Sequence, residues 1–244
     1  MQRLLRRLPT LVAAARQRLA TLWPQRCHVC SGHAGPHPLC DACAGELPRL
    51  PTACCPVCGL PATRGALCGR CLHRLPHFDA TGVSLAYDFP VREMILAYKR
   101  GRAFHLEPWL SHVLRENWPA GAVDAIVPMP LHRRRLRERG FNQSAELARR
   151  LGRWVATPVW CRVLQRVRDT PHQVGLRLAA RRRNLRGAFA CRRRLDGLHI
   201  VLVDDVMTSG ASLDAAAREL KRAGAARVTC LVVARTLARP RRAP

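Results

Sequence analysis

The chain has 244 residues, 48% of them apolar, enough to build a core of Leu, Val and Ala and too many for a disordered chain. Its 42 basic residues face only 16 acidic ones, a formal charge of +26 that attracts polyanions and is the footprint of a nucleic-acid binder. No run of ~20 apolar residues occurs, which excludes a transmembrane helix.

Residues 1–26 open the chain with MQRLLRRLPTLVAAARQRLATLW, Arg-rich and free of acids. Leu4, Leu5, Leu8, Leu11, Val12, Ala15, Leu19 and Leu22 fall at helical spacing and predict an amphipathic N-terminal helix. Such a helix packs on the body of the protein or lies on a membrane surface, and its acid-free composition also fits a transit peptide. No small-residue cleavage site follows a continuous apolar core, so no secretory signal is expected. The expected location is the cytoplasm, with the inner face of the membrane as the alternative.

Cysteines dominate residues 27–78. Four CxxC pairs, Cys27/Cys30, Cys40/Cys43, Cys55/Cys58 and Cys68/Cys71, form a two-copy repeat with a period of 28 residues. Two residues between cysteines let both sulfurs point to one centre, and two such turns complete a zinc tetrahedron. A segment this short buries little core, so the metal supplies folding free energy. Disulfides would need an oxidising compartment. The prediction is a double zinc ribbon with two closed, structural zinc sites; one zinc per repeat is the simplest pairing, and a cross-braced arrangement uses the same cysteines. Cys161, Cys191 and Cys230 lie in predicted strands and read as buried apolar residues.

Residues 79–236 alternate strand and helix patterns, followed by a basic tail at 237–244. Val123 to Val127 is a short apolar run ending at Pro128-Met129-Pro130. A helical pattern begins near Asn142. Val159 to Val167 is strand-like, and Leu198 to Val203 reads as a central parallel strand covered on both faces. Ala211 to Ala223 is helical, with Leu213, Ala216, Ala217 and Leu220 on one face, and Arg227 to Val233 is a further strand. The pattern predicts an α/β domain with a mostly parallel sheet. Ligands of such sheets bind beyond the carboxyl ends of the strands, where residues 128–142, 168–188 and 204–212 fall.

The last of these carries the strongest chemistry. An apolar strand runs into Asp204-Asp205-Val206-Met207-Thr208-Ser209-Gly210-Ala211-Ser212 and then a helix. Adjacent carboxylates at a strand end are costly unless they meet a cation, a hydroxyl or a metal. The small residues Thr208, Ser209, Gly210, Ala211 and Ser212 let backbone N–H groups curl around an anion at a helix N-terminus. Acids beside a phosphate cradle suit a ribose 5-phosphate.

VDDVMTSGAS resembles the phosphoribosyl-pyrophosphate (PRPP) signature of type I phosphoribosyltransferases, with Ser209 where the family often carries Thr. PMPLHRRRLRERGFNQS at 128–144, DTPHQVGL at 169–176, RRRNLRGAF at 181–189 and YDFPVREMILAYKRGR at 87–102 resemble blocks of the ComF (competence protein F) family. A cysteine-rich module before the transferase-like domain is that family's layout, and the resemblance spans residues 27 to about 236. It implies a type I phosphoribosyltransferase-like fold with helices on both faces of the sheet, PRPP or a related sugar phosphate with Mg²⁺ as ligand, and a link to DNA uptake in natural transformation. It implies that Asp204 and Asp205 orient ribose hydroxyls and Mg²⁺ waters. Arg135, Arg139 and Gly140, on the loop after the first core strand, would hold pyrophosphate. Gln173 and Arg183 would sit on a flexible loop over the site.

No base-recognition pocket can be named from these residues. The sequence therefore leaves three functions open: a DNA-uptake factor that binds PRPP or single-stranded DNA without catalysis alongside the uptake machinery, an active phosphoribosyltransferase in nucleotide or base salvage, and a PRPP-sensing regulator. Interleaved aromatics are scarce, so any DNA grip is expected to be mainly electrostatic. Oligomeric state is not legible.

Overall fold

The computed structural model describes residues 25–63, 65–169 and 185–237. The N-terminal amphipathic pattern, the basic tail, Gln173 and Arg183 therefore lie outside the described residues. Contacts divide the chain into two compact units, with the break between Leu47 and Pro48. The two cysteine repeats thus fall in different units.

The first unit holds the Cys27/Cys30 turn and the Cys40/Cys43 turn. The second turn opens a short helix, α1 (Asp41–Gly45). The second unit begins with the other repeat, whose Cys68/Cys71 turn opens α2 (Gly69–His73).

From there the chain builds a parallel sheet. Strands β1 (Ala80–Gly82) and β2 (Leu85–Ala86) both pair with the last strand. After them come α3 (Val91–Lys99), a 3-10 turn at Phe104–Leu106 and α4 (Glu107–Glu116). Strand β3 (Ala125–Pro128) leads into α5 (Arg133–Arg139) and α6 (Gln143–Trp154). A two-stranded antiparallel ribbon, β4 (Leu164–Arg166) and β5 (Phe189–Cys191), stands apart from the main sheet. Strand β6 (His199–Met207), α7 (Ala211–Arg222) and β7 (Arg227–Arg235) complete the unit. The order is β1-β7-β6-β3, all parallel.

The central strands read as apolar runs because both faces are covered. Ile200, Leu202, Val228, Cys230 and Val232 pack under α7, in the same cluster as Cys55, Cys58, Cys68 and Cys71. Helices α4 and α6 pack against β7, β6 and β3. Leu213, Ala216, Ala217 and Leu220 are buried, as their spacing predicts.

Three local expectations change. The HRRRLRER run is helical and not an open loop: His132 caps it through Nδ1, Arg134 pairs with Glu138 at 2.9 Å one turn on, and Gly140 ends it at φ 82°. The strand-like stretch 159–167 is mostly turn: Val159 makes one parallel bridge to Ile126, and only Leu164–Arg166 forms a strand. Of the three isolated cysteines, Cys230 is buried in β7, while Cys161 and Cys191 are partly exposed.

Candidate functional site

Strand β6 carries its apolar run straight into the acid pair, still in strand conformation. Successive side chains leave a strand on opposite faces, so the two carboxylates meet different partners. Asp205 is 4% exposed, and its Oδ2 lies 2.9 Å from Lys99 Nζ at the end of α3. Asp204 Oδ1 accepts from Ser144 Oγ and from the Asp205 backbone N–H, each at 2.9 Å. Burial, and then the charge of Asp205, push the Asp204 carboxyl up to about 7. Burial alone would lower the Lys99 value; Asp205 beside it reverses that, so the ammonium stays charged.

Ser144 reaches Asp204 because of how α6 starts. Asn142 Oδ1 accepts from the N–H groups of Ser144 and Ala145, an N-cap. Asn142 Nδ2 also donates to the Met129 carbonyl at 3.1 Å, tying the helix start to the end of β3.

The turn after β6 is fixed from outside. Arg235, the last residue of β7 and 1% exposed, donates to the Met207 carbonyl at 2.8 Å, to Thr236 O at 3.1 Å and to Thr208 O. Its Nε donates to Cys58 O at 3.0 Å, so one guanidinium bridges the second cysteine repeat and the turn. Arg70, on α2 of that repeat, donates to Ser209 O. The N–H groups of Ser209, Gly210 and Ser212 find no backbone acceptor among the described residues. Gly210 sits at φ 74° at the N-cap of α7, a backbone region that favours glycine. Unpaired N–H groups at a helix N-terminus form an anion site.

These elements open into one cleft of about 780 Å³. Its wall brings together Asp204, Asp205, Thr208, Ser212, Arg135 and Arg139, all singled out by the sequence. Ser209, Gly210 and Ala211 form the turn beside it. Arg139 donates to Gln143 Oε1, which steadies it on the first turn of α6. Gly140 has open space around it, so its requirement is the left-handed backbone that ends α5. The cleft also carries Lys99, Arg100, Arg102 and Arg166, which sequence reasoning missed. One signal was available: Lys99 is one of only two lysines among 42 basic residues.

Both cysteine sets fit zinc. The four sulfurs of Cys27, Cys30, Cys40 and Cys43 lie within 4.8 Å of one another, as do those of Cys55, Cys58, Cys68 and Cys71. A tetrahedron with ~2.3 Å bonds has edges of about 3.8 Å. Cys30 and Cys40 are 3.8 Å apart, and Cys58 and Cys68 are 3.4 Å apart. Burial would raise the Cys55 thiol, but backbone N–H groups at Cys68, Cys58 and Val57 bring it down to about 7, favouring the thiolate that zinc requires. Each repeat therefore forms its own site, not a cross-braced one. The second is fully buried and belongs to the core that carries the turn at 207–212. Among the described residues no helix is long and apolar enough to cross a membrane.

Known proteins share this organisation. A double zinc ribbon domain matches residues 18–72 and a phosphoribosyl transferase domain matches residues 144–243. The chain is 35% identical over 223 residues to DNA utilization protein YhgH of Escherichia coli K12, covering 88% of this chain and 96% of that one. It is 30% identical over 212 residues to competence protein F of Haemophilus influenzae, covering 82% and 92%. Competence protein ComFC of Bacillus subtilis is 28% identical over 199 residues, covering 77% and 80%.

Proposed function

The chain belongs to the ComF family of competence proteins, and from that membership and the cleft described above we propose that it binds phosphoribosyl pyrophosphate and serves the uptake or handling of single-stranded DNA. The observation that carries the PRPP reading is the shared cleft. Paired acids, the ends of a clamped turn at Thr208 and Ser212, and a helix-borne pair of arginines line one space. In this reading the 5-phosphate accepts from the N–H groups and hydroxyls of residues 208–212. Asp204 and Asp205 hold the ribose hydroxyls. Arg135 and Arg139 face the pyrophosphate, where guanidinium forks match phosphate oxygens. Mg²⁺ bound with PRPP would neutralise pyrophosphate charge, and Asp204 and Asp205 are the carboxylates in the cleft suited to orient its waters.

Lys99 then acts as an internal counter-ion. Its ammonium lies 2.9 Å from the Asp205 carboxylate and offsets the cost of burying that charge. The DNA reading rests on the names of the relatives and on the charge of +26. Arg-rich segments attract a polyanion whatever its sequence, and affinity of that kind falls steeply with salt.

Calorimetry with PRPP and Mg²⁺ tests the site. The double variant Asp204→Asn/Asp205→Asn should lose binding by at least about a hundredfold, the loss of two charge-assisted contacts at ~1.5 kcal/mol each. Equal affinity in both proteins refutes the assignment. Pyrophosphate release with candidate base acceptors then separates a transferase from a binder.

A further inference from the structure

The fold collects three of the chain's few aromatic side chains, each close in the chain to residues of the cleft wall, Lys99, Arg102 and Arg139. Phe104 and Phe141 lie with ring centroids 4.9 Å apart, tilted by 55°. Both meet the edge of Tyr98, at 6.2 Å and 5.7 Å. Tyr98 is fully buried, yet Phe104 is 54% exposed. Its position is nevertheless fixed, because it opens a 3-10 turn between Ala103 and Leu106, which are both fully buried. Half a phenyl ring held rigidly in water forgoes the free energy that burial would give it.

The surroundings define what would cover that ring. Gly101 lies against both phenyl groups; a Cβ there would stand 3.6 Å from the Phe104 ring and 3.9 Å from the Phe141 ring. Its neighbours Arg100 and Arg102 are exposed and line the cleft. On the other side, Phe141 follows Gly140 and Arg139, and Arg139 lines the same cleft. An apolar face set among guanidinium groups suits a ligand that alternates flat rings with phosphates. It does not suit an apolar protein anchor, whose burial would strand those charges.

We propose that Phe104, backed by Phe141 and Tyr98, is a stacking platform for a nucleobase of single-stranded DNA, with Arg100 and Arg102 taking the flanking phosphates. This deepens the DNA-handling reading and rests on it. It adds a stacking contact to the mainly electrostatic grip that the scarcity of aromatics implied. Ring stacking is tolerant of base identity and is insensitive to salt, unlike the phosphate contacts.

The test compares two short single strands of equal length, oligothymidylate and an abasic deoxyribose-phosphate polymer, in fluorescence anisotropy across a salt series. The full chain should prefer the base-bearing strand by at least about fivefold, the lower end of what one stacked base contributes. Phe104→Ala should abolish the preference and leave the salt slope unchanged. Phe104→Trp should retain it, and unchanged melting midpoints will show that both variants fold. Equal binding of the two strands by the unaltered chain, with a steep salt slope, overturns the platform and leaves DNA binding standing. Persistent discrimination by Phe104→Ala also overturns it. Failure to bind either strand at low salt removes the DNA reading together with the platform.

Discussion

Replacing Arg235 by Met tests whether the second cysteine repeat braces the phosphate turn. Met keeps much of the aliphatic stem and removes every donor. The change deletes bonds to Cys58 O at 3.0 Å, Met207 O at 2.8 Å and Thr236 O at 3.1 Å, together with the bond to Thr208 O. Hydrogen bonds from a charged donor contribute about 1.5–3 kcal/mol each, so four of them are worth roughly 6–12 kcal/mol gross. Removing the buried charge recovers several kcal/mol of desolvation. A net loss of about 3 kcal/mol follows, or roughly 9 °C in melting midpoint for a chain of this size. The Thr208 carbonyl is freed and Met207 O keeps only the Thr236 N–H at 3.0 Å, so the turn is no longer clamped. Re-ordering two residues on binding costs ~2 kcal/mol, so PRPP affinity should fall about 30-fold. Arg235→Lys keeps the charge without the fork and should fall between. The same clamp makes zinc and PRPP mutually stabilising, because coupling between two sites is reciprocal. PRPP should therefore slow chelator-driven zinc release from one of the two sites, read with a colorimetric zinc indicator, and Arg235→Met should abolish that protection. A variant with an unchanged midpoint and unchanged affinity would refute the strut.

Further outcomes follow from the same contacts. Cys55→Ser should weaken PRPP binding and Cys27→Ser should not, because only the Cys55 site shares a core with the turn; equal effects in calorimetry would contradict this. Metal analysis should find about two zinc ions per chain, one for each four-cysteine cluster. Lys99→Gln strands Asp205 without its counter-ion and should cost about 3 kcal/mol in chemical denaturation, the usual penalty for breaking a buried pair. Asp204 carries a pH signature. Its value rises from 3.8 to about 7 on folding, so the folded chain holds a proton that the unfolded chain releases. Stability contributed by that group is thus lost as pH climbs from 3.8 towards 7. The shift of about 3 units is worth roughly 4 kcal/mol, so Asp204→Asn should raise the midpoint by about 10 °C at pH near 8 and leave it nearly unchanged at pH near 4; a pH-independent difference would count against the burial argument.

The parts of this protein legible in its sequence are those whose chemistry is local. The 28-residue cysteine repeat, the apolar strand that runs into Asp204 and Asp205, and the small residues that follow each carry their reason within a few positions. The helical content of the HRRRLRER run was missed because its support is also local but weak. His132, the Arg134–Glu138 pair and Gly140 each add only tenths of a kcal/mol or so, and a block of arginines masks them. Strand pairing at 159–167 failed for the opposite reason. Val159 joins the main sheet while Leu164 to Arg166 pairs with residues 189–191, a partition that depends on distant partners.

The contacts that shape the cleft are the least legible, because they join residues far apart in the chain. Lys99 meets Asp205, Arg235 meets Cys58, and Arg70 meets Ser209. None of these pairs has a spacing that periodicity could reveal. A surplus of arginine hides the few that are buried: composition gives +26 of charge without saying that Arg235 is 1% exposed and spends its donors on backbone carbonyls. Scarcity works differently. Lys99 stood out by being rare, and the aromatics were dismissed for being rare, yet both mark the cleft. A low count limits how many rings can stack on a strand of DNA; it places no limit on where the fold gathers them. Tyr98 and Phe104 flank Arg100 and Arg102 in the chain, and tertiary packing brings Phe141, 43 residues beyond Tyr98, against both rings. Base stacking at this site is therefore a property of the tertiary structure, and composition could not have excluded it.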